Sequence, residues 1–231
     1  MQSISSCRFV TRMLRFVTAV CLLAVISSCG GSGGTGPVSG PVVSKAAPSG
    51  DNQAGRTGAV LPDPLRVIVT DAGSAVAGEA VTWEVVSGGG SVSPASASTD
   101  AAGIAATTVT LGSSPGEMKI RANAAGAAGG PLPFSAFVAG PSVSVQVINN
   151  AFQPETAAVT VGGTVSFVWP AGSRQHDLVP DGGKDRPNSA AVLDGPISLD
   201  VVFPTAGTYA YHCSVHGAPG TGMHGTIVVV P

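Results

Sequence analysis

The sequence predicts an all-β protein made of two β-sandwiches in tandem, and three observations lead to that fold class. The 231 residues include 32 Gly and 18 Pro, which leave few stretches long enough for an α-helix. Charged residues make up only 10% of the chain, against about 25% in an ordinary soluble domain. Short runs in which apolar and polar residues alternate recur between turn residues, which is typical of half-buried strands.

The charge balance excludes one class of partner. Lys and Arg number 11 and Asp and Glu number 13, which gives a formal net charge of −2. A nucleic-acid-binding protein normally presents a strongly basic face. We therefore expect no nucleic-acid partner.

Residues 1–28 are typical of a bacterial export signal. Three arginines and no acidic residue accompany an apolar run over residues 16–26. That run is too short to span a bilayer as a helix of the mature protein. We therefore predict that this segment directs export and is then removed.

The end of this segment, ISSC at residues 26–29, resembles the lipobox of bacterial lipoproteins. The resemblance implies that Cys29 is acylated and becomes the mature N-terminus. The following Gly30 resembles the outer-membrane sorting pattern, if the host is Gram-negative. The alternative is an ordinary secretory signal in which Cys29 is incidental.

The four cysteines have separate predicted fates. Cys7 and Cys21 leave with the signal, and Cys29 carries lipid. Cys213 is then the only thiol of the folded part, so no intramolecular disulfide can form. A lone thiol in an oxidising compartment is a liability unless it is buried or binds a metal.

Residues 29–43 are predicted to form a flexible tether, and residues 44–139 the first β-sandwich. The tether is rich in Gly, Ser and Pro and lacks charge and hydrophobic periodicity, as flexible linkers do. In the sandwich, alternation places one set of apolar residues on the inner faces of three strands. These are Leu65, Val67, Val69, Val81, Trp83, Val85, Met118, Ile120 and Ala122.

The same region carries a set of short motifs. They are SGDNQ at 49–53, VTD at 69–71, VAG at 76–78, VTW at 81–83, GGG at 88–90, TD at 99–100 with Gly103, and TLG at 110–112. As a set they resemble the bacterial Ig-like domain of invasin and intimin type. In that family the module is a spacer or an adhesive stalk. The resemblance therefore implies that this region extends the protein and has no catalytic or metal-binding role.

Residues 141–231 are predicted to form the second β-sandwich, because a new series of alternating runs begins there. The apolar members of these runs are Val143, Val145, Val147, Val165, Phe167, Trp169, Leu199, Val201, Phe203, Tyr209, Tyr211, Cys213, Ile227 and Val229. All four histidines of the chain lie in this region. Any chemistry is therefore expected here.

Four of these residues form a predicted metal site. Cys213, His216 and Met223 follow the spacing Cys-x2-His-x6-Met between the final two strands, and His176 follows the strand at 167–169. One thiolate, two imidazoles and a thioether are the ligands of a blue-copper electron-transfer site. We therefore predict one type 1 copper ion.

Strand alternation separates these ligands from the other two histidines. Cys213 shares a face with Tyr211, which we expect in the core, so His212 points outward. His224 is turned away if Met223 faces the metal. We therefore expect no second metal site.

Further motifs surround the ligands. They are FQP at 152–154, VTVGGTV at 159–165 and GTY at 207–209. Together with the ligand spacing they resemble the plastocyanin-like group of cupredoxins over residues 141–231. The resemblance implies copper ligation by Nδ1 of His176 and of His216, by Cys213 and by Met223.

Two features depart from that family's pattern. The interval between His216 and Met223 is longer than in short-loop plastocyanins, which affects the axial geometry and the reduction potential. Asp177 stands where many members have Asn. We expect its carboxylate to hydrogen-bond Ser214 and to tie the two ligand segments together.

The sequence therefore favours a lipid-anchored cupredoxin of the bacterial cell envelope, facing the periplasm or the exterior, that shuttles single electrons. No open coordination position for a substrate is evident, which argues against an enzyme. The resemblance implies that a redox protein partner docks at the exposed edge of His216. Two alternatives stay open: copper storage or delivery with the same ligands, and an adhesin-like surface protein whose cupredoxin fold is only structural.

Overall fold

The computed structural model of the protein describes residues 40–231. The predicted export signal, the lipidation site at Cys29 and most of the predicted tether lie outside the described residues. Within the described part, no helix has the length and apolar character needed to cross a membrane.

Residues 40–231 form β-strands joined by turns and contain no helix, which confirms the predicted all-β class. The first nine strands are Val42–Lys45 (β1), Gln53–Arg56 (β2), Leu65–Asp71 (β3), Ser74–Ala75 (β4), Ala80–Ser87 (β5), Ser91–Ser93 (β6), Ser96–Ser98 (β7), Ile104–Thr110 (β8) and Gly116–Ala124 (β9). The others are Leu132–Ile148 (β10), Ala151–Gln153 (β11), Thr156–Trp169 (β12), Val179–Pro180 (β13), Ile197–Phe203 (β14), Gly207–Ala218 (β15) and Thr221–Val230 (β16).

Two sheets enclose the first hydrophobic core. One has the strand order β1-β3-β8-β6, with β4 at the end of β3. The other joins β7, β5, β9 and the first half of β10 in antiparallel pairs, and β2 pairs with β10 in parallel. Val67 of the first sheet and Val81 of the second lie in one buried cluster, so the alternation predicted the inner faces correctly.

The first sandwich begins before residue 44, its predicted start. β1 starts at Val42 and pairs with β3. Val43 is buried in the first core, and its amide donates to the carbonyl of Ala128 at 2.8 Å. Val42 and Val43 follow a Gly- and Ser-rich stretch and show no hydrophobic periodicity. The sequence pattern therefore does not predict β1.

The second sandwich is built from β11 to β16 and the second half of β10. One layer joins β13, β15, β16 and the first half of β12, and the other joins β14, the second half of β12, β10 and β11. Phe167 of β12 and Tyr211 of β15 share one buried cluster. The predicted tandem of two β-sandwiches is therefore correct.

β12 passes from one layer of this sandwich to the other at two glycines. Gly162 has a φ of +78°, and a side chain on Gly163 would lie 2.2 Å from Cγ2 of Val159 and 2.8 Å from the carbonyl oxygen of Thr160. Only glycine allows this close turn. The strand therefore pairs with β16 before the turn and with β14 after it.

β10 continues without a break from the first sandwich into the second, since its first half pairs with β9 and its second half with β12. A small apolar cluster lies at this junction and consists of Phe137, Ala139, Ala158 and Val230. Arg56 Nε donates to the carbonyl of Pro231 beside it. The two sandwiches are therefore joined by paired strands and packed side chains.

Tyr209 anchors the start of β15. Its hydroxyl donates to the carbonyl of Thr205, four residues upstream, at 2.8 Å, which is the tyrosine-corner arrangement of β-sandwiches. Its ring packs edge-on against Phe203, with centroids 5.0 Å apart. These contacts fix the beginning of the strand that carries Cys213.

Candidate metal centre

The segment that carries three of the predicted ligands is a bulged hairpin rather than an open loop. β15 continues through Cys213 and His216 to its end, and two residues separate it from β16. The strand register breaks between His212 and Gly217. A bulge of this kind redirects side chains, and here the residues it contains include Cys213 and His216.

Two glycines draw the arms of the hairpin together beyond the bulge. Gly217 lies opposite Gly222. A side chain on Gly217 would lie 2.6 Å from the carbonyl oxygen of Met223, and one on Gly222 would lie 2.6 Å from that of His216. The backbones at His216 and Met223 therefore approach closely, as only glycine permits.

Three of the predicted ligands converge on one point. Sγ of Cys213 lies 3.8 Å from Nδ1 of His176 and 3.6 Å from Nδ1 of His216. All three donor atoms lie within 4.8 Å of one another. Donor atoms at these separations can share a single metal ion.

The four predicted ligands differ in exposure. Cys213, Met223 and His176 are buried, at 0%, 1% and 2% exposed, whereas His216 is only half-buried. Next to it, Val215 is 47% exposed. One predicted imidazole ligand therefore reaches the surface, while the other predicted ligands lie in the interior.

The backbone of a facing segment holds His176 in place. Its amide donates to the carbonyl of Leu193 at 3.2 Å, and the amide of Leu193 donates back at 2.8 Å. Trp169 Nε1 donates to the carbonyl of His176 at 3.2 Å. Burial, with the nearby His216, lowers the pKa of His176 against the opposing effect of nearby carboxylates. The imidazole is therefore neutral near pH 7, with a lone pair free for a metal.

Asp177 ties the two ligand segments together. One carboxylate oxygen accepts the amide hydrogen of Ser214 at 2.7 Å, and the other accepts its hydroxyl hydrogen at 2.6 Å. Asp177 is 7% exposed. Two hydrogen bonds therefore join Asp177, which follows His176, to Ser214, which follows Cys213.

The two remaining histidines lie outside this cluster, opposite each other on β15 and β16. Nδ1 of His212 lies 2.6 Å from Oδ1 of Asp181, and Nε2 of His224 lies 3.2 Å from Oε1 of Glu155. The sequence alone does not reveal the contact of Asp181 with His212, because this contact depends on the pairing of β13 with β15.

Sequence reasoning also missed a contact next to His176. Gln175 has a φ of +58°, and its amide donates to Oδ1 of Asp194 at 2.7 Å. The two residues are 19 positions apart, and neither belongs to a metal-binding motif. No pattern in the chain connects them before the fold is known.

The donor chemistry decides which metal fits this cluster. A thiolate and two imidazoles in a trigonal arrangement, with a thioether at longer range, suit type 1 copper. The converging atoms are one sulfur and two nitrogens, whereas Mg²⁺ and Ca²⁺ require oxygen ligands. The residues present therefore fit a copper ion.

Comparison with known proteins finds that this chain is similar to the following proteins. A plastocyanin from Scenedesmus fuscus is 38% identical over 85 residues, which cover 34% of this chain and 85% of that protein. A solved pseudoazurin from Sinorhizobium is 29% identical over 39% of this chain and 74% of its own, with a TM-score of 0.30. The D00-D0 domain of intimin is 24% identical over 38% of this chain and 42% of its own, also with a TM-score of 0.30. No family model matches the chain.

Proposed function

Because this chain belongs to the plastocyanin-like cupredoxin family, we propose that it carries single electrons in the bacterial cell envelope. Its cofactor is one type 1 copper ion. The observation that supports electron transfer most directly is the convergence of His176 Nδ1, Cys213 Sγ and His216 Nδ1 within 4.8 Å inside a β-sandwich.

We assign the copper ligands to His176, Cys213, His216 and Met223. Copper supplies a one-electron couple between Cu(II) and Cu(I), which sulfur and imidazole donors sustain. The burial of Met223 and the close approach of its backbone to Gly217 support Met223 as the fourth residue that would hold the copper ion. Four protein donors leave no position for a substrate, so an electron carrier is favoured over an enzyme.

Surrounding residues hold these donors in place through contacts of their own. Asp177 fixes the backbone at Ser214, and Leu193 fixes the backbone at His176. Cys213 is packed in the second core. A site that its protein frame holds rigid changes little between oxidation states, which favours fast electron transfer.

We place the electron exit at His216. It is the one proposed ligand that reaches the surface, and the exposed residues Val215, Ala218 and Pro219 lie within three positions of it in the chain. An apolar surface around one exposed ligand edge suits a transient complex with a redox protein partner.

We further propose that lipid on Cys29 anchors the chain to a membrane and that the Ig-like sandwich is a spacer. The chain then faces the periplasm or the exterior, at the outer membrane if the host is Gram-negative. The continuity of β10 and the packing of Phe137 at the junction support a spacer that does not bend where it meets the copper-binding sandwich.

Electrochemistry and copper transfer distinguish electron carriage from copper storage or delivery. The copper-loaded protein should give a reversible one-electron wave and keep its copper when mixed with an apo-protein that binds Cu(I) through thiolates. Rapid loss of copper to that acceptor, with no reversible wave, would instead favour storage or delivery.

The lipid anchor has its own test. Cys29→Ala is expected to move the protein from the membrane to the soluble fraction of the host, because the acylated thiol is lost. The measurement is the share of protein in each fraction. Cys21→Ala, a change inside the predicted signal, is the matched control and should leave the protein on the membrane. Unchanged membrane retention of Cys29→Ala would contradict the anchor.

A further inference from the structure

We propose that Asp194 is a positioning residue for the metal centre and acts through the backbone of Gln175. The inference rests on the proposed copper site and extends it to the segment that faces His176. It concerns a carboxylate outside the ligand set, whose role is to hold one ligand segment in shape.

Gln175 needs such a partner because of its backbone conformation. Its φ of +58° lies in the left-handed region, which costs free energy for any residue with a Cβ. Its side chain is exposed, so core packing does not hold it there. An interaction of its backbone must therefore contribute.

Asp194 provides that interaction as part of a clamp between two segments, residues 173–176 and 193–195. Oδ1 of Asp194 accepts the amide hydrogen of Gln175 at 2.7 Å. The backbones of His176 and Leu193 exchange two hydrogen bonds on one side of it. On the other side, the amide of Gly195 donates to the carbonyl of Ser173 at 2.9 Å.

The far end of the clamp is fixed to the interior. Ser173 is 3% exposed, and its hydroxyl donates to the carbonyl of Val147 at 2.7 Å. A side chain on Gly195 would lie 2.0 Å from the carbonyl oxygen of Pro170. The backbone around Asp194 is therefore held in place, so its carboxylate can fix the position of Gln175.

The conformation of Gln175 sets two distances at the site. Its carbonyl oxygen lies 4.0 Å from Cys213 Sγ, and the next residue places Nδ1 of His176 3.8 Å from the same sulfur. Rotation about the backbone of Gln175 would move both atoms. Holding this one residue therefore orients His176 toward Cys213.

The test uses the full protein in its metal-free and copper-loaded forms. In metal-free Asp194→Ala, the amide of Gln175 should exchange its hydrogen about tenfold faster, because a hydrogen bond to a charged acceptor is lost. After loading, the thiolate-to-copper absorption band should shift and copper should pass faster to a chelator. Asp200→Ala on β14 is the matched control and should change none of these.

Two further variants separate positioning from charge. Asp194→Asn keeps an oxygen acceptor, so exchange at Gln175 should stay within about threefold of the parent protein while the reduction potential rises. Gln175→Gly in the Asp194→Ala background should restore the absorption band, since glycine adopts a positive φ without penalty.

Unchanged amide exchange and an unchanged band in Asp194→Ala would overturn the proposal. So would a double variant that stays as altered as Asp194→Ala alone. Amide exchange in the metal-free protein does not depend on copper. A parent protein that gives no visible band with Cu(II) would contradict the proposed function, while faster exchange in Asp194→Ala would still show the clamp.

Discussion

Cys213→Ala is expected to abolish the intense visible absorption of the Cu(II) protein. That absorption comes from charge transfer between a thiolate and copper, and Cys213 is the free thiol of the described chain. Sγ of Cys213 is also the atom that lies within 3.8 Å of both imidazole nitrogens. The measurement is the absorption spectrum of the parent and the variant at equal Cu(II).

Met223→Leu is the matched control, because it removes the other sulfur of the proposed ligand set and keeps a side chain of similar size. It should retain the visible band and raise the reduction potential, since a donor that helps stabilise Cu(II) is lost. Circular dichroism of both metal-free variants checks that the fold is kept. A colourless Cu(II) complex of the parent protein, or a Cys213→Ala variant that stays blue, would contradict the copper assignment.

Gly225→Ala is expected to lower the free energy of unfolding by about 2–3 kcal/mol, as overpacking of a tight core does. Its Cβ would lie 2.6 Å from both Cζ and the hydroxyl oxygen of Tyr211. Tyr211 is fully buried and packs against Phe152 and Phe167, with ring centroids 4.7 Å and 5.5 Å away. The ring therefore has little room to move aside. Denaturant unfolding of the metal-free protein measures the effect.

Tyr211→Phe is the companion variant, and it should raise the free energy of unfolding or leave it unchanged. The hydroxyl of Tyr211 is buried and has no hydrogen-bond partner among residues 40–231, so removing it deletes no hydrogen bond and relieves a desolvation cost. Burial also raises the pKa of Tyr211 far above its usual value, so the hydroxyl stays protonated. Equal unfolding midpoints for Gly225→Ala and the parent protein would contradict this prediction, because they would show that the ring of Tyr211 can move aside.

Much of the fold could be predicted because strand periodicity depends on neighbouring residues alone. The alternation around Trp83 and around Phe167 placed both side chains in the interior, where the structure has them. The same rule placed His212 and Cys213 on opposite faces of β15, and the structure buries Cys213 while His212 contacts Asp181 near the surface.

What could not be predicted depends on contacts between distant segments. The start of β1 at Val42 requires its pairing with β3. The contact of Asp194 with Gln175 requires the two segments to face each other. The bulge in β15 is a shift of register against β16, and residue spacing within one strand carries no information about its partner.

The unbroken course of β10 has a hydrodynamic and a thermodynamic consequence. β10 belongs to both sandwiches, and Phe137 and Val230 are packed at the junction between them. This arrangement opposes rotation of one sandwich relative to the other. The two sandwiches are therefore expected to tumble in solution together, as one rigid particle. Melting of either sandwich removes the pairing partners of half of β10, so the two sandwiches are expected to unfold in one cooperative transition.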